Sequence, residues 1–357
     1  MLDQLAGISV ASAALQTRNE SSLGFLVVTI LVALSFDFTN GFHDTANAVA
    51  TSVSTRVLSA RGAILMASVL NFAGAFISTS VAKTIGTDVA ARSALTQGAV
   101  LAALLAAISW NLLTWYFGLP SSSSHALIGG LIGAAVMQSP LHFGALKGAG
   151  ILKIVLSLVI SPVAGFFIAY PLSVILLWVF RGLTPHRVTD VTSWMQRLSA
   201  AFVAFSHGSN DAQKTMGVIT AAVLAYEGAP VSAQFHVPVW VIALSATAMG
   251  LGTSFGGWRI IRTLGMRVVK LRPIDGFAAE ATSGAIIQAA TAFGLPVSTT
   301  HVIAGSVMGV GARHRLSAVR WGVAGNMVTA WIMTGPITAV LAALLMGLML
   351  LVGIGAL

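Results

Sequence analysis

Residues 38–44, Phe-Thr-Asn-Gly-Phe-His-Asp, occur a second time as residues 205–211, Phe-Ser-His-Gly-Ser-Asn-Asp, at an offset of 167 positions. A second pair follows in the same order. Residues 118–125, Gly-Leu-Pro-Ser-Ser-Ser-Ser-His, match residues 294–301, Gly-Leu-Pro-Val-Ser-Thr-Thr-His, at an offset of 176. We call the first pair the aspartate motifs and the second pair the hydroxyl motifs. Their common order and similar offsets indicate an internal duplication of the chain.

A third landmark supports the duplication, because Ser161-Pro162 lies 174 positions before Gly335-Pro336. No small-residue cleavage site stands out in the mixed polar start of the chain, so no removable signal peptide is expected. The predicted organisation is an N-terminal segment (1–22), a first membrane repeat (23–180), a short cytoplasmic linker (181–197) and a second membrane repeat (198–357).

The composition places most of the chain in lipid. Of its 357 residues, 56% are apolar and 8% are charged, whereas about 25% are charged in a typical soluble domain. The net charge of +9 comes from short basic clusters between apolar stretches, as in cytoplasmic loops, and not from one patch suited to nucleic acid. Cysteine is absent, which excludes disulfides and thiolate metal sites. The sequence therefore predicts an all-α, multi-pass protein of the cell membrane.

The apolar stretches predict roughly 10–12 membrane segments, some of them too short to span a bilayer, which takes about 20 residues. Examples are 198–206 and 215–225. Short or interrupted segments in matching places of two halves are typical of broken or re-entrant helices that line a transport site. The long stretches around Pro162 and Pro336 are each expected to be kinked or divided into two helices.

The distribution of charge predicts that the two repeats are inverted. The loop after the first aspartate motif carries Arg56 and Arg61, whereas its counterpart at 223–236 carries Glu227 and no lysine or arginine. Because cytoplasmic loops collect lysine and arginine, the two loops are expected on opposite sides of the membrane. In two inverted-topology repeats, each polar motif would meet its twin near the middle of the bilayer.

The aspartate motifs predict sites for coupling cations. A carboxylate at membrane depth is costly, so it usually pairs with a cation or lines a water-filled path. A helix cap is the simpler role for one such residue, but the surrounding pattern recurs with both aspartates. Nearby amides add neutral oxygens that suit a hard monovalent cation such as Na⁺. The predicted coupling-cation residues are Asp44, Asp211, Asn40, Asn47, Asn210 and Gln213.

The hydroxyl motifs predict an anion site. Glycine and proline end one helix, and the hydroxyl residues begin the next, over 124–137 and 301–312. A helix N-terminus offers free N–H groups and the positive end of the helix dipole to an anion, although the hydroxyls could also serve only as N-caps. Two opposed termini fit a compact tetrahedral oxyanion. The predicted anion-binding residues are Ser121, Ser122, Ser123, Ser124, Ser298, Thr299 and Thr300.

The roles of five further polar residues stay open at this stage. His125 and His301 could relay protons or could be packed and neutral. Lys214 could contact the anion or extend to an interface. Glu280 is expected to face the interior as part of the coupling set. Asp37, seven residues before Asp44 on the same helical face, could belong to the pathway or to an interface.

At these motifs the chain resembles the inorganic phosphate transporter (PiT) family. The resemblance rests on Gly-Phe-His-Asp-Thr-Ala-Asn-Ala (41–48), Gly-Ser-Asn-Asp-Ala-Gln-Lys (208–214) and both hydroxyl motifs, and it extends over roughly 24–355. It implies an inverted-repeat fold, often dimeric, that carries phosphate together with a cation. It also implies that the signature residues of the family are Asp44, Asp211, Ser122, Ser298 and Glu280.

One position departs from the sodium-coupled members of that family. They tend to have a glutamate in the first-half place where this chain has Asn71, which we interpret as the counterpart of Glu280. The local pattern is closer to bacterial permeases described as proton-coupled carriers of metal–phosphate complexes. The resemblance therefore implies coupling to protons in preference to sodium, with Mg²⁺ or Ca²⁺ carried with the phosphate as an option.

The expected mechanism is symport by alternating access. A phosphate dianion entering an inside-negative cell works against about 2.3 kcal/mol per charge per 100 mV, so import needs accompanying cations. Two alternatives stay open: a permease of the same fold for sulfate or another oxyanion, and an anion channel. An enzyme is not expected, because the Ser-Ser-His run at residues 123–125 has no acidic partner nearby in the sequence.

Overall fold

The computed structural model describes residues 22–91, 94–138, 143–229 and 234–353, with the side chain of Arg267 excepted. The predicted N-terminal segment, apart from Ser22, lies outside these ranges. The described residues are overwhelmingly helical and form no named strand, so the predicted all-α class is confirmed.

The described ranges contain twelve α-helices, joined by short 3-10 or π turns at Phe143–Ala145, Phe180–Gly182, Thr263–Arg267 and Leu316–Ala318. The helices are α1 (Leu23–Ser54), α2 (Ala60–Gly74), α3 (Ser80–Asp88), α4 (Gln97–Phe117), α5 (Ser123–Gln138), α6 (Gly148–Val179), α7 (Pro185–Tyr226), α8 (Val239–Phe255), α9 (Trp258–Arg262), α10 (Pro273–Ala292), α11 (Thr299–His314) and α12 (Trp321–Leu351).

Four helices are long and apolar enough to cross a membrane: α1, α4, α6 with the turn that follows it, and α12. A fifth span is possible if α8 and α9, which are bent by 60° at their break, count as one. Large apolar side chains such as Phe167 on α6 and Leu344 on α12 are exposed, as expected for helices that face lipid. Pro162 and Pro336 lie inside continuous helices, so the alternative of two helices in each stretch is wrong, and the alternative of a kink stays a prediction.

The aspartate motifs lie inside long helices, and the prediction of separate segments at 198–206 and 215–225 is wrong. Both belong to α7, a single helix of 42 residues that also includes most of the predicted linker. The helix begins early because Thr184 caps it and Pro185 occupies its first turn. The polar motif does not interrupt the helix, because it contains no proline and its polar side chains are buried against other parts of the protein. The repeat boundaries themselves stay a prediction.

The helix breaks fall at the hydroxyl motifs, as predicted. Gly118 ends α4 with φ 65°, and its twin Gly294 follows α10 with φ 66°. Glycine is suited to this left-handed conformation because it has no Cβ to clash with the backbone. The chain then turns and restarts as α5 at Ser123 and as α11 at Thr299.

The packing of the two halves is reciprocal. Helix α1 packs on α8 while α7 packs on α2, and α5 packs on α12 while α11 packs on α6. Within each half, α4 packs on α5 as α10 packs on α11. Each of these helix pairs has a counterpart in which both helices are replaced by their equivalents from the other half. Such paired contacts are expected of two units related by a two-fold axis. The observed pattern is therefore compatible with the predicted inverted repeats.

Paired glycines allow the closest of these reciprocal contacts. A Cβ on Gly133 of α5 would overlap the carbonyl oxygen of Ala339 on α12, and a Cβ on its twin Gly309 of α11 would overlap the carbonyl oxygen of Phe166 on α6. Gly129 lies four residues before Gly133, and Gly305 lies four residues before Gly309. Small residues at this spacing let helix backbones approach each other closely in a membrane.

Replacing Gly133 by alanine is expected to destabilise the fold by about 1–3 kcal/mol, because the new methyl group meets rigid backbone of α12. Gly309→Ala should lose a similar amount. Thermal unfolding in detergent measures both. The matched control is Gly325→Ala on α12, where an added Cβ meets nothing within 4 Å. Equal stability of Gly133→Ala and Gly325→Ala would contradict the proposed close approach.

A buried ion-pair cluster ties the start of α10 to the end of α11. Asp275 is 1% exposed, and its oxygens lie 2.6 Å from Arg313 Nη2 and 3.3 Å from both Arg272 Nε and His314 Nε2. At the corresponding place in the first half, the described residues show a hydrogen bond between neutral side chains: Thr96 Oγ1 donates to Gln138 Oε1 at 2.7 Å, which ties the start of α4 to the end of α5. We call each of these helix–helix connections, α10 to α11 and α4 to α5, a joint. The two repeats therefore hold corresponding joints with different side-chain chemistry.

Candidate functional site

The two motif aspartates meet at the centre of the molecule. One ligand atom from each of Asp44, Asp211 and His207 can be chosen so that all three lie within 4.8 Å of one another, and all three residues are buried. Two ionised carboxylates at that separation repel by about 3.5 kcal/mol even at an effective dielectric constant of 20. The pair therefore requires cations, protons or strong hydrogen-bond donors.

Asp44 is surrounded by donors from three parts of the chain. His43 Nδ1 lies 2.6 Å from Oδ1. Ser123 Oγ of the first hydroxyl motif donates to Oδ2 at 3.1 Å, and Thr300 Oγ1 of the second donates to Oδ1 at 3.4 Å. The starts of α5 and α11, one from each repeat, therefore converge on one carboxylate.

Asp211 is likewise surrounded by donors. Lys214 Nζ forms an ion pair with Oδ1 at 2.7 Å, although it is not aligned as a hydrogen bond. His207 Nε2 lies 3.6 Å from Oδ2, and Asn40 Nδ2 donates to the same oxygen at 3.4 Å. Lys214 is 1% exposed, so it lies within the site and does not extend to an interface.

Two of the predicted amide residues hold the second hydroxyl motif, one from each half of the chain. Asn47 Nδ2 donates to Thr300 Oγ1 at 2.8 Å and to Thr299 Oγ1 at 3.3 Å. Asn210 Nδ2 donates to Thr291 Oγ1 at 2.9 Å, and its Oδ1 accepts from the backbone N–H of Val297 at 3.4 Å. Asn47 thus connects the first half to the second hydroxyl motif, whereas Asn210 connects the second aspartate motif to Thr291 and to the hydroxyl motif of its own half.

Gln213 is placed differently from the other amides. Its Oε1 accepts from the backbone N–H groups of Val81 and Ala82 at 2.8 and 3.3 Å, at the start of α3. Its Nε2 donates to the carbonyl oxygen of Ser209. These hydrogen bonds satisfy N–H groups that a helix start leaves unpaired, so the side chain holds α3 in place.

The hydroxyl residues are all buried, with exposures of at most 1%. Ser124 Oγ donates to the carbonyl oxygen of Val297 at 2.9 Å, which joins the two hydroxyl motifs directly. Ser122 and Ser298 act as N-caps, accepting from the N–H groups three residues later. Ser121 Oγ lies 2.8 Å from Thr114 Oγ1. The motif residues therefore form one polar region, in which two members also cap their helices.

The two motif histidines pack behind this region. Their ring centroids are 4.8 Å apart, and His301 stacks on Trp331 at 4.0 Å. Trp331 Nε1 donates to the carbonyl oxygen of Pro120 at 2.9 Å, and His125 Nδ1 lies 2.8 Å from Ser122 Oγ. The contacts favour the packed role, because the rings are fixed by stacking around the helix starts.

Glu280 belongs to a separate cluster. It is buried and accepts from Thr51 Oγ1 at 2.5 Å, Ser199 Oγ at 2.7 Å and Gln196 Nε2 at 3.2 Å. None of these donors is shared with the two aspartates. Its interior position agrees with the prediction, while its hydrogen bonds connect α10 to α1 and α7.

The interpretation of Asn71 as the counterpart of Glu280 is wrong. Gly41 on α1 packs against the carbonyl of Met249 on α8, and its twin Gly208 on α7 packs against the carbonyl of Asn71 on α2. Asn71 therefore corresponds to Met249, whereas Glu280 lies on α10, the counterpart of α4. Position 71, where sodium-coupled relatives tend to have a glutamate, is therefore not the first-half position that matches Glu280.

Comparison with known proteins agrees with this architecture. A family model described as the phosphate transporter family matches residues 40–342. The chain belongs to the phosphate transporter family. It is 47% identical over 329 residues to a Bacillus subtilis (strain 168) protein named "Probable low-affinity inorganic phosphate transporter", covering 89% of this chain and 96% of that one. A relative of the same name from Rhizobium meliloti (strain 1021) is also 47% identical, over 91% and 97% of the two chains.

One solved structure has the same fold. It is described as "The sodium-dependent phosphate transporter", with a TM-score of 0.83 and 25% identity over 92% of this chain and all of that one. Together with the apolar spans, the family makes this chain a multi-pass transporter of the plasma membrane and not an enzyme.

Several residues of this transporter's polar centre were not among the predicted site residues. His207 and Lys214 flank Asp211 at spacings of four and three residues, which place them on the same helical face; that spacing is the signal that could have identified them. Thr51, Thr114 and Ser199 come from other stretches of the chain and carry no such local signal. Only the fold brings Thr114 next to the motif residues His43 and Ser121, and Thr51 and Ser199 next to Glu280.

Proposed function

We propose that this transporter imports inorganic phosphate together with cations, and that the phosphate binds between the two hydroxyl motifs. The observation that carries the proposal is the convergence of Ser123 and Thr300, at the starts of α5 and α11, on Asp44. Hydroxyls and helix N-termini bind an anion without a fixed full charge, which favours release as well as binding. The names of the relatives support phosphate as the cargo.

The buried charges support obligatory coupling. Asp37, Asp44, Asp211 and Glu280 are all buried, and Lys214 is the buried ammonium near the aspartates. If every carboxylate is ionised and the histidines are neutral, three negative charges remain uncompensated. An anion would be repelled from such a site, so cations or protons must load before phosphate or with it. Binding of the cation and of phosphate then favour each other.

Protons are the preferred coupling ion in this proposal. The oxygens of Asp44 and Asp211 are met by N–H and O–H donors from His43, Lys214, Asn40 and the motif hydroxyls, whereas a sodium ion needs several oxygen ligands. The sodium dependence of the solved neighbour supports the alternative, with Na⁺ at Asp44 and Asp211. A metal–phosphate complex with Mg²⁺ or Ca²⁺ would reduce the charge that must be moved.

Alternating access is the motion that this proposal requires. The reciprocal packing of α1–α8 with α7–α2 and of α5–α12 with α11–α6 supports two units that move against each other around the central site. Inverted orientation of the units and a homodimer in the membrane are parts of the same proposal. Inverted repeats transport in this manner because exchanging the conformations of the two units reverses the side that is open.

Uptake of labelled phosphate in a transport-deficient host tests the function. We expect uptake to persist when sodium is replaced, to fall strongly with a protonophore, and to resist excess sulfate, because the phosphate anions present at neutral pH carry protons that they can donate, whereas sulfate carries none. Loss of uptake only on sodium replacement would overturn the proton preference. Competition by sulfate would favour a general oxyanion permease, and conductance without accumulation would favour a channel.

A further inference from the structure

Asp37 is a buried carboxylate that the proposed site does not use. It is 0% exposed, and neither of its oxygens has a hydrogen-bond partner among the described residues. An ionised carboxylate removed from water without donors is strongly unfavourable. A residue in this position must therefore bind a proton or a cation in at least one state of the transporter.

Its neighbours connect Asp37 to the central site. It lies on α1 about two helical turns before Asp44, and Thr215 of α7 is next to it. Thr215 Oγ1 is also buried without a hydrogen-bond partner. The charged groups that act on Asp37 are Asp211 and Lys214 of the same helix, which form the ion pair of the second aspartate motif.

Among the described side chains, no charged group other than Asp211 and Lys214 acts on Asp37; Arg259 and Arg262 on α9, which also packs on α1, are exposed. Helix α8 has no titratable residue, and Arg61 on α2 and Tyr116 on α4 are exposed. Glu280 on α10 is held by its own three donors, and His301 on α11 stacks on Trp331. The environment of Asp37 is thus set by α7.

We infer that Asp37 is a proton-carrying residue of the symporter, with Thr215 Oγ1 as its hydrogen-bond partner. The inference rests on the proposed function. A proton needs one carboxylate oxygen, and the resulting O–H can donate to Thr215. A metal cation would need several oxygen ligands at once, whereas the side-chain oxygen that acts on Asp37 is the hydroxyl of Thr215. The ligand of this site is therefore a proton.

Electrostatics couples this proton to phosphate. When Asp37 binds a proton from the outer side, one negative charge disappears next to Asp211 and Lys214, and the ammonium becomes more available to an anion. Phosphate binding in turn favours protonation of Asp37, because coupling between two sites is reciprocal. Release of phosphate on the inner side then favours loss of the same proton from the carboxyl group.

The repeated fold itself does not require this carboxylate. At the offset of the aspartate motifs, the counterpart of Asp37 is Ala204, which is also fully buried. Helix α7 therefore folds and packs at the equivalent place with a methyl group. A buried acid kept in only one half is explained by a role that the shared packing does not supply.

The test uses the purified full chain in proteoliposomes with an imposed pH gradient, acidic outside, and labelled phosphate. One proton per phosphate across one pH unit sustains about tenfold accumulation. We expect wild type and Asp37→Glu to accumulate phosphate, and Asp37→Asn to reach an inside-to-outside ratio of about one. Asp37→Asn should still exchange internal for external phosphate at equal pH, because the amide resembles the protonated acid.

Two results would overturn the inference: accumulation by Asp37→Asn equal to wild type, or loss of its phosphate exchange in a folded protein. If Asp37→Asn does not fold, Thr215→Val replaces it; a shift in the pH of half-maximal uptake is expected, and an unchanged pH profile counts against the inference. Wild-type accumulation driven only by sodium would refute the role of Asp37 and leave phosphate transport intact. No phosphate movement by wild type would refute the proposed function as well.

Discussion

Replacing Asp44 by asparagine is expected to reduce phosphate uptake by about 100- to 4,000-fold. Removing one charged partner from a buried cluster costs about 3–5 kcal/mol, and each 1.4 kcal/mol corresponds to a factor of about ten. Asp44 contacts His43 and accepts hydrogen bonds from hydroxyls of both repeats, so loss of its charge affects both hydroxyl motifs of the proposed site. Uptake of labelled phosphate at limiting concentration measures the loss.

Asparagine has the size of aspartate and keeps one acceptor oxygen for Ser123 or Thr300, and thermal unfolding of Asp44→Asn in detergent separates a loss of transport from a loss of folded protein. Asp211→Asn is expected to lose uptake as well, since it leaves Lys214 without its partner. The control is Asp190→Asn on α7. The side chain of Asp190 is 63% exposed, so phosphate uptake by this variant should match that of wild type. Normal uptake by both Asp44→Asn and Asp211→Asn would refute the assignment of the motif aspartates.

The sequence predicts the parts of the fold that rest on local rules. Apolar composition predicts the membrane, and two glycines followed by proline predict the breaks before α5 and α11, because each rule acts over a few neighbouring residues. The same reasoning fails at the aspartate motifs, where polar residues were interpreted as interruptions. Inside a bundle, a polar face such as that of α7 is buried against protein, so the helix continues.

The candidate site shows the same limit. The motif residues Asp44, Asp211, Ser123 and Thr300 are found together as the duplication predicts, because each repeat places its motif at the same point. Gln213 has the right residue type and the right neighbours in sequence, yet it caps α3. Partners from other helices, such as Thr51 and Ser199 on Glu280, follow from packing between helices that are distant in sequence, which no local pattern encodes.

Replacing Asp275 by asparagine is expected to destabilise the protein by about 3–5 kcal/mol, because it leaves a buried cation without its partner. The Arg313 side chain is 4% exposed and lies 2.6 Å from Asp275 Oδ1, and its Nε has no hydrogen-bond partner. Loss of the carboxylate therefore leaves a largely buried guanidinium without its charged partner. Thermal or denaturant unfolding in detergent should show a large decrease in stability.

The equivalent joint in the first repeat supplies the matched comparison. Thr96→Val removes the hydrogen bond to Gln138 and the N-cap of α4, which should cost only about 1–2 kcal/mol because both lost partners are neutral. The double variant Asp275→Asn with Arg313→Met should recover part of the stability of the single variant, since no unpaired charge remains. A small effect of Asp275→Asn, similar to that of Thr96→Val, would show that the ionic joint is no stronger than the neutral one. A large difference would mean that the joint between α10 and α11 opens less readily than its twin, so that the two repeats, although built alike, resist opening unequally.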